Sequence, residues 1–240
     1  MRFIVKVLVA TAISRSRTVD QRGLFVSIES SQVMKALAIV GAGQHGRVVA
    51  ECAELLGCRR ISLFFVDGAP AHSFDPWKLE GSESDLVARP DDFPTFFVAI
   101  GDNNKRLAAH ARLKSIGLAS TTLVHPRATI SSYSKIGEGS VVLAGACVVI
   151  GAQVGEAVII NTAASVDHDC VLENGVHVSP GAHLAGSVTV GERSWIGIGA
   201  VVRQGVSIGR DAVIGAGAVV VADVADGVTV VGNPARPLEP

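Results

Sequence analysis

From Val124 to Val220 every sixth residue is Val, Ile or Leu: Val124, Ile130, Ile136, Val142, Val148, Val154, Ile160, Val166, Leu172, Val178, Leu184, Val190, Ile196, Val202, Ile208, Ile214 and Val220. A helix repeats every ~3.6 residues and a half-buried strand about every 2, so neither requires a period of six. The residue two places before each aliphatic is usually small, as at Ala128, Ser134, Ser140, Ala146, Ala152, Ala164 and Ala182. Glycine follows the aliphatic at 137, 155, 191, 197, 209 and 215. This is a hexapeptide repeat, in which each unit supplies a short strand and a corner. The aliphatic points into a narrow prism, the small residue fits the corner, and glycine is expected to take the unusual backbone angles there. Three faces of six residues make a left-handed parallel β-helix with eighteen residues per coil.

Composition agrees with a thin prism. Aromatics are only 5% of the 240 residues, because such an interior has little room for large rings. The apolar stretch Val141–Ile160 is nearly long enough to cross a bilayer. The six-residue register explains the same residues, however, and Gly145, Gly151 and Gly155 suit corners, so no membrane span is expected. A net charge of −1 and a pI near 6.6 provide no basic footprint for nucleic acid. Cys52, Cys58, Cys147 and Cys170 form neither a CxxC pair nor a disulfide framework, which suits a reducing, cytoplasmic location.

Residues 1–33 fit nothing downstream and are expected to lack fixed structure, with Met34 as the functional beginning. Residues 34–119 read as a small Rossmann-like domain, and 120–240 as the β-helix. After the strand-like Ala36–Val40, Gly41, Gly43 and Gly46 form GxGxxG, followed by a helix at Arg47–Leu56. That turn lets a phosphate approach unpaired N–H groups at a helix N-terminus. A second strand, Ile61–Val66, ends at Asp67, placed to accept hydrogen bonds from a ribose or base. A third, Thr95–Ile100, runs into Gly101-Asp102-Asn103-Asn104-Lys105-Arg106 before a helix over Leu107–Ser115. The domain is long enough for one mononucleotide half, not for the paired halves that hold a dinucleotide. His45, inside the glycine loop, suits a phosphate or polar substrate better than NAD. Gly41, Gly43, His45, Gly46, Asp67, Gly101, Asn103 and Arg106 are the candidate substrate residues.

On the prism, residues eighteen apart stack directly. His168 stacks on Gly186, His177 on Trp195 and Ile198 on Ala216. Asp167-His168-Asp169 is the sharpest catalytic candidate. A neutral imidazole can take a proton near neutral pH, and an adjacent carboxylate fixes its tautomer and raises its basicity. Acyl transfer from a thioester needs such a base and a donor for the developing oxyanion. The N–H of Gly186 or the imidazole of His177 can supply the donor. His168 and His177 are half a coil apart, on different faces, so a reaction using both requires a subunit boundary, as in a threefold assembly. No Ser or Cys stands in an evident nucleophile–base arrangement, which favours direct attack.

At this point the chain resembles a known family, the bacterial sugar acetyltransferases that acetylate nucleotide-linked 4-amino-sugars, with their sialic-acid O-acetyltransferase relatives. The resemblance runs from Met34 to about Leu238 through VGAGQHGRVV, VAIGDNNKR, VHPRATI, INTAASVDHDC, HVSPGAHLAG, the Gly-Ala-Gly-Ala run at 215–218 and the closing Val-Gly-Asn-Pro-Ala-Arg. It implies His168 as general base, Asp169 as its partner, and His177, Ile198 and Ala216 as acetyl-CoA contacts. Gly186 and the closing motif's Arg236 join the acetyl-CoA set. It implies a homotrimer, acetyl-CoA as co-substrate, no permanently bound cofactor and no metal. Many relatives carry a second acid after the position of Asp67. Gly68 stands there instead, which leaves uridine and guanosine both open. Two alternatives use the same residues differently: an O-acetyltransferase acting on a sugar or sialic-acid hydroxyl, and a γ-carbonic-anhydrase-like zinc enzyme.

Overall fold

The computed structural model describes residues 36–68 and 75–238. The expected extension at 1–33 lies outside the described residues. The N-terminal domain opens with Leu37–Val40 (β1), four apolar residues that are all buried, as a strand covered on both faces must be. It continues with Gln44–Leu55 (α1), Ile61–Phe65 (β2), Lys78–Ser82 (β3), Glu83–Val87 (α2), Thr95–Val98 (β4), Asn103–Ser115 (α3) and Ala119–Ser120 (β5). The sheet is parallel throughout, in the order β3-β2-β1-β4-β5. Strand order reverses between β1 and β4, so the crevice beyond their carboxyl ends is the position where such sheets bind ligands.

The prism begins at Leu123–Val124. Two-residue strands pair in register with those eighteen residues away, as in Ile159↔His177↔Trp195↔Val213. Three parallel ladders result. The first face carries those residues, the second includes Ser165–Val166 and His183–Leu184, and the third includes Val171–Leu172 and Thr189–Val190. The inward aliphatics form one continuous core with the small corner residues. Each fully buried Val or Ile contributes roughly 1.5–3 kcal/mol.

The corners differ from expectation in one respect. Left-handed backbone falls three residues after each aliphatic from Ile136 to Ile214, for example at Gly145 (φ 71), Ala157 (φ 53), Asp169 (φ 58) and Arg193 (φ 61). The glycines directly after the aliphatics serve another purpose, because the next coil passes too close for a side chain. A Cβ on Gly191 would lie 2.5 Å from the Arg210 nitrogen.

Helix α3 starts a turn earlier than its apolar pattern indicates, because Asp102 caps it by accepting the Lys105 N–H at 2.9 Å. Asn103, Arg106, His110 and Lys114 thereby share one face of the helix, at the three- and four-residue spacing of a stripe. That stripe runs along one prism corner. Asn103 donates to the carbonyls of Arg193 and Ser194 at 2.7 and 3.2 Å. Lys114 pairs with Glu138 at 2.9 Å and Glu156 at 3.0 Å. His110 lies over Gly139, where any Cβ would overlap its ring. Helix α1 meanwhile packs on the first face, joining Val49 and Ala53 to Leu123, Val141 and Ile159 in a shared core. The two domains are one packed unit. Among the described residues no helix is long and apolar enough to cross a membrane.

Candidate active site

His168 stands at the corner between the second and third faces. The Asp167 carboxylate accepts the His168 backbone N–H at 2.7 Å, and the His168 carbonyl accepts from Ser187 at 2.8 Å, so the corner is tied on both sides. Asp169 occupies the left-handed position, at a cost of roughly 1–2 kcal/mol for a non-glycine residue. There its Oδ2 lies 3.0 Å from His168 Nδ1. The carboxylate fixes the proton on Nδ1 and leaves the Nε2 lone pair free. The Asp169 hydrogen bond, followed by the charges of Asp167 and Asp169, raises the His168 pKa above its ordinary value. The imidazole lies across Gly186, where any Cβ would overlap it. Among the described residues the Gly186 N–H donates to no protein acceptor.

His177 occupies a different environment. It is only 6% exposed on the first face, with its ring 4.1 Å from that of Trp195. Burial first, then the charges of Arg106 and His45, push its pKa down to about 3, so it is neutral at working pH. The Asn161 side-chain oxygen Oδ1 accepts the Thr162 N–H at 2.8 Å, which aims the Asn161 side-chain Nδ2–H at His177 Nε2, 3.2 Å away. Nε2 is therefore an acceptor and the imidazole proton sits on Nδ1. That Nδ1 is buried without a hydrogen-bond partner among the described residues. His177, Trp195, Ile198 and Ala216 line an apolar groove of about 460 Å³.

A second cavity, of about 420 Å³, opens where the sheet order reverses. Gly41, Gly43, His45, Phe65, Val66 and Gly101 line it. Gly43 has an extended backbone (φ −116) and open space around its Cβ position. Helix α1 begins there with no side chain capping its first N–H groups, an arrangement suited to an anion. His45 Nε2 is occluded, with no hydrogen-bond partner among the described residues, and burial followed by the Arg106 charge pushes the His45 pKa down to about 4.

The family described as PglD N-terminal domain matches residues 36–113, and the bacterial transferase hexapeptide family matches 187–222. The GDP-perosamine N-acetyltransferase of Escherichia coli O157:H7 is 30% identical over 224 residues, spanning 86% of this chain and 97% of the relative. The chain belongs to the hexapeptide-repeat sugar acetyltransferases. Two solved structures of the family superpose well. The acetyltransferase domain of PglB from Neisseria gonorrhoeae FA1090, in complex with acetyl coenzyme A, is 44% identical with a TM-score of 0.80, over 85% of this chain and 100% of that one. A mutant perosamine N-acetyltransferase from Caulobacter crescentus, in complex with CoA and GDP-perosamine, is 35% identical with a TM-score of 0.82, over 85% and 97%.

In this acetyltransferase, several expected site residues stand elsewhere. Asn103 and Arg106 do not reach the glycine-loop cavity; both are buried in the domain seam, bonded to main-chain carbonyls. Gly46 does not line the cavity either, since its Cα faces the Gly41 carbonyl, too close for a Cβ. Asp67 is exposed just past Val66 and accepts the Ser84 hydroxyl at 2.6 Å, the bond that chiefly lowers its pKa. Arg236 lies at the far end of the first-face ladder, outside the groove. Asn161 was not expected. Its signal is positional, because it follows the inward Ile160 directly and so opens a corner beside the first face. Among the described residues no three His, Cys, Asp or Glu side chains converge as a metal site.

Proposed function

We propose that the enzyme transfers the acetyl group of acetyl-CoA to the amine of a nucleotide-linked amino sugar. The observation that carries this reading is the His168–Asp169 pair, an exposed and oriented base, in one rigid molecule with a phosphate-suited glycine-loop cavity. The complexes of relatives with acetyl coenzyme A and with CoA and GDP-perosamine support it. The amine nitrogen attacks the thioester carbon while His168 Nε2 takes its proton. A C–N bond forms, the carbonyl becomes an oxyanion, and the C–S bond breaks as that oxyanion collapses. The departing thiolate receives the proton from His168. Gly186 N–H and His177 Nδ1–H are the candidate oxyanion donors. A thiol-release assay with acetyl-CoA against UDP- and GDP-linked amino sugars and free sialic acid tests the assignment. Turnover only with a hydroxyl acceptor would overturn it.

Gly43→Val is expected to fold normally, because the backbone is extended and the space around it is open. The added side chain fills the phosphate approach, so nucleotide-sugar binding by calorimetry should be lost while acetyl-CoA binding is spared. Unchanged nucleotide-sugar affinity would move the phosphate elsewhere.

His168 and His177 lie on different sides of one prism, which favours a trimer whose sites combine His168 of one subunit with His177 of its neighbour. Refolded mixtures of His168→Ala and His177→Ala chains should then recover activity in proportion to random assembly. Inactive mixed trimers, with assembly confirmed and both parents impaired, would show that each subunit builds its own site.

A further inference from the structure

The first face of the prism is covered along one half and open along the other. Its outward column runs Leu123, Val141, Ile159, His177, Trp195 and Val213. Leu123, Val141 and Ile159 are fully buried, in one cluster with Val49 and Ala53 of α1. Exposure returns step by step beyond them: His177 is 6% exposed, Trp195 is partly buried and Val213 is 39% exposed. The apolar groove therefore ends blind at His177, against the covered half of the face, and opens toward Val213 and Ala216. Trp195 narrows that blind end. From Val124 to Pro240 the sequence holds two Phe, Tyr or Trp residues, Tyr133 and Trp195, and Trp195 is the one that lines the groove. Its indole stands one coil from His177, with ring centroids 4.1 Å apart and planes tilted by 50°. Elsewhere the lining includes Gly197, Gly215 and Ala216, which occupy little of the space.

We infer that Trp195 sets the length of the acyl group, closing the thioester end of the groove so that a two-carbon chain fits and a longer one does not. This rests on the proposed binding of acetyl-CoA in the groove, with the thioester carbonyl at His177 Nδ1. A thioester carbonyl carbon carries an oxygen, a sulfur and the acyl carbon in one plane. The oxygen turns to the N–H donor. The sulfur leads back along the open groove, because the blind end gives the pantetheine arm no exit. The acyl carbon is left to point at the closed end, between the imidazole, the indole and the part of the face that α1 covers. The attacking amine approaches out of that plane and does not compete for the space. A methyl group ends there, and each further methylene must displace a ring. Both rings are held in place. Asn161 bonds to the imidazole at 3.2 Å, and the indole is carried on a strand whose Trp195 N–H donates to the Ala212 carbonyl at 2.8 Å.

The test is a series of acetyl-, propionyl- and butyryl-CoA, run with whichever of the UDP- and GDP-linked amino sugars turns over and read as kcat/KM for thiol release. Each added methylene should cost the wild-type enzyme about tenfold or more, the scale of one methylene in an apolar pocket. Trp195→Ala should raise kcat/KM for butyryl-CoA in absolute terms and cut the acetyl-to-butyryl ratio by at least about tenfold. Trp195→Phe keeps a ring at the blind end and should retain the wild-type order of preference. The side chain points outward while its neighbour Ile196 fills the core, so the alanine variant should assemble. If it does not, Trp195→Leu takes its place, with the same change of ratio expected. Equal use of acetyl- and butyryl-CoA by the wild-type enzyme would overturn the inference. So would a variant that loses both substrates in parallel with the ratio unchanged, which would make Trp195 a support for His177 alone. Turnover without acyl selectivity leaves the proposed function standing and removes only this inference, whereas no turnover with any acyl-CoA removes the proposed function itself.

Discussion

Replacing His168 by alanine should lower kcat by about 10²–10⁴-fold, as loss of a general base does, while acetyl-CoA affinity stays near the wild-type value. The side chain is about half exposed and rests over Gly186 at a surface corner, so the thermal transition should move little. Only a loss of kcat without a loss of stability identifies chemistry. The pH profile adds a signed test. His168 acts as a base only when neutral, so activity rises with pH through its pKa, which Asp169 holds above the ordinary value. Asp169→Asn removes the negative charge that favours imidazolium, so the acidic limb should move to lower pH. Turnover should fall less than in His168→Ala. A limb that moves upward, or an alanine variant with near-normal turnover, would remove the pair from the mechanism.

Gly186→Ala should be nearly as damaging, although glycine itself does no chemistry. Its backbone does not use the left-handed region, so alanine is accepted without strain. Its Cβ, however, enters the space of the His168 imidazole one coil away. The ring must swing off Gly186, and a misplacement of about 1 Å can cost on the order of 10²-fold in rate. Stability and nucleotide-sugar binding should survive, because the Gly186 carbonyl still accepts from Gly205 and the glycine-loop cavity is remote. A crystal structure of the variant should show the His168–Asp169 bond broken or lengthened. If Gly186→Ala turns over like the wild-type enzyme, the imidazole need not lie where this structure has it.

The prism, its eighteen-residue stacking and the His168–Asp169 corner are properties of the sequence alone. A strict period of six places each side chain by counting, so Ile159, His177 and Trp195 fall in one column before any coordinates exist. The strand, glycine loop and helix that begin the N-terminal domain are equally local signals. Counting fails where the partners are main-chain carbonyls. Asn103 and Arg106 follow the third strand, as substrate-binding residues would, yet across the seam they bond to carbonyls of residues 51 to 91 positions away. A carbonyl has no identity in the sequence, so nothing marks Ala157, Gly175 or Arg193 as acceptors. Which way the stripe of α3 faced depended on how the two domains docked. Docking also decided that His45, in the first turn of α1, and His177, on a prism strand, share the field of one buried cation. Repeat registry is set by near neighbours along the chain, whereas burial and electrostatic environment are set by whatever the folded chain brings alongside, and only the tertiary structure determines that.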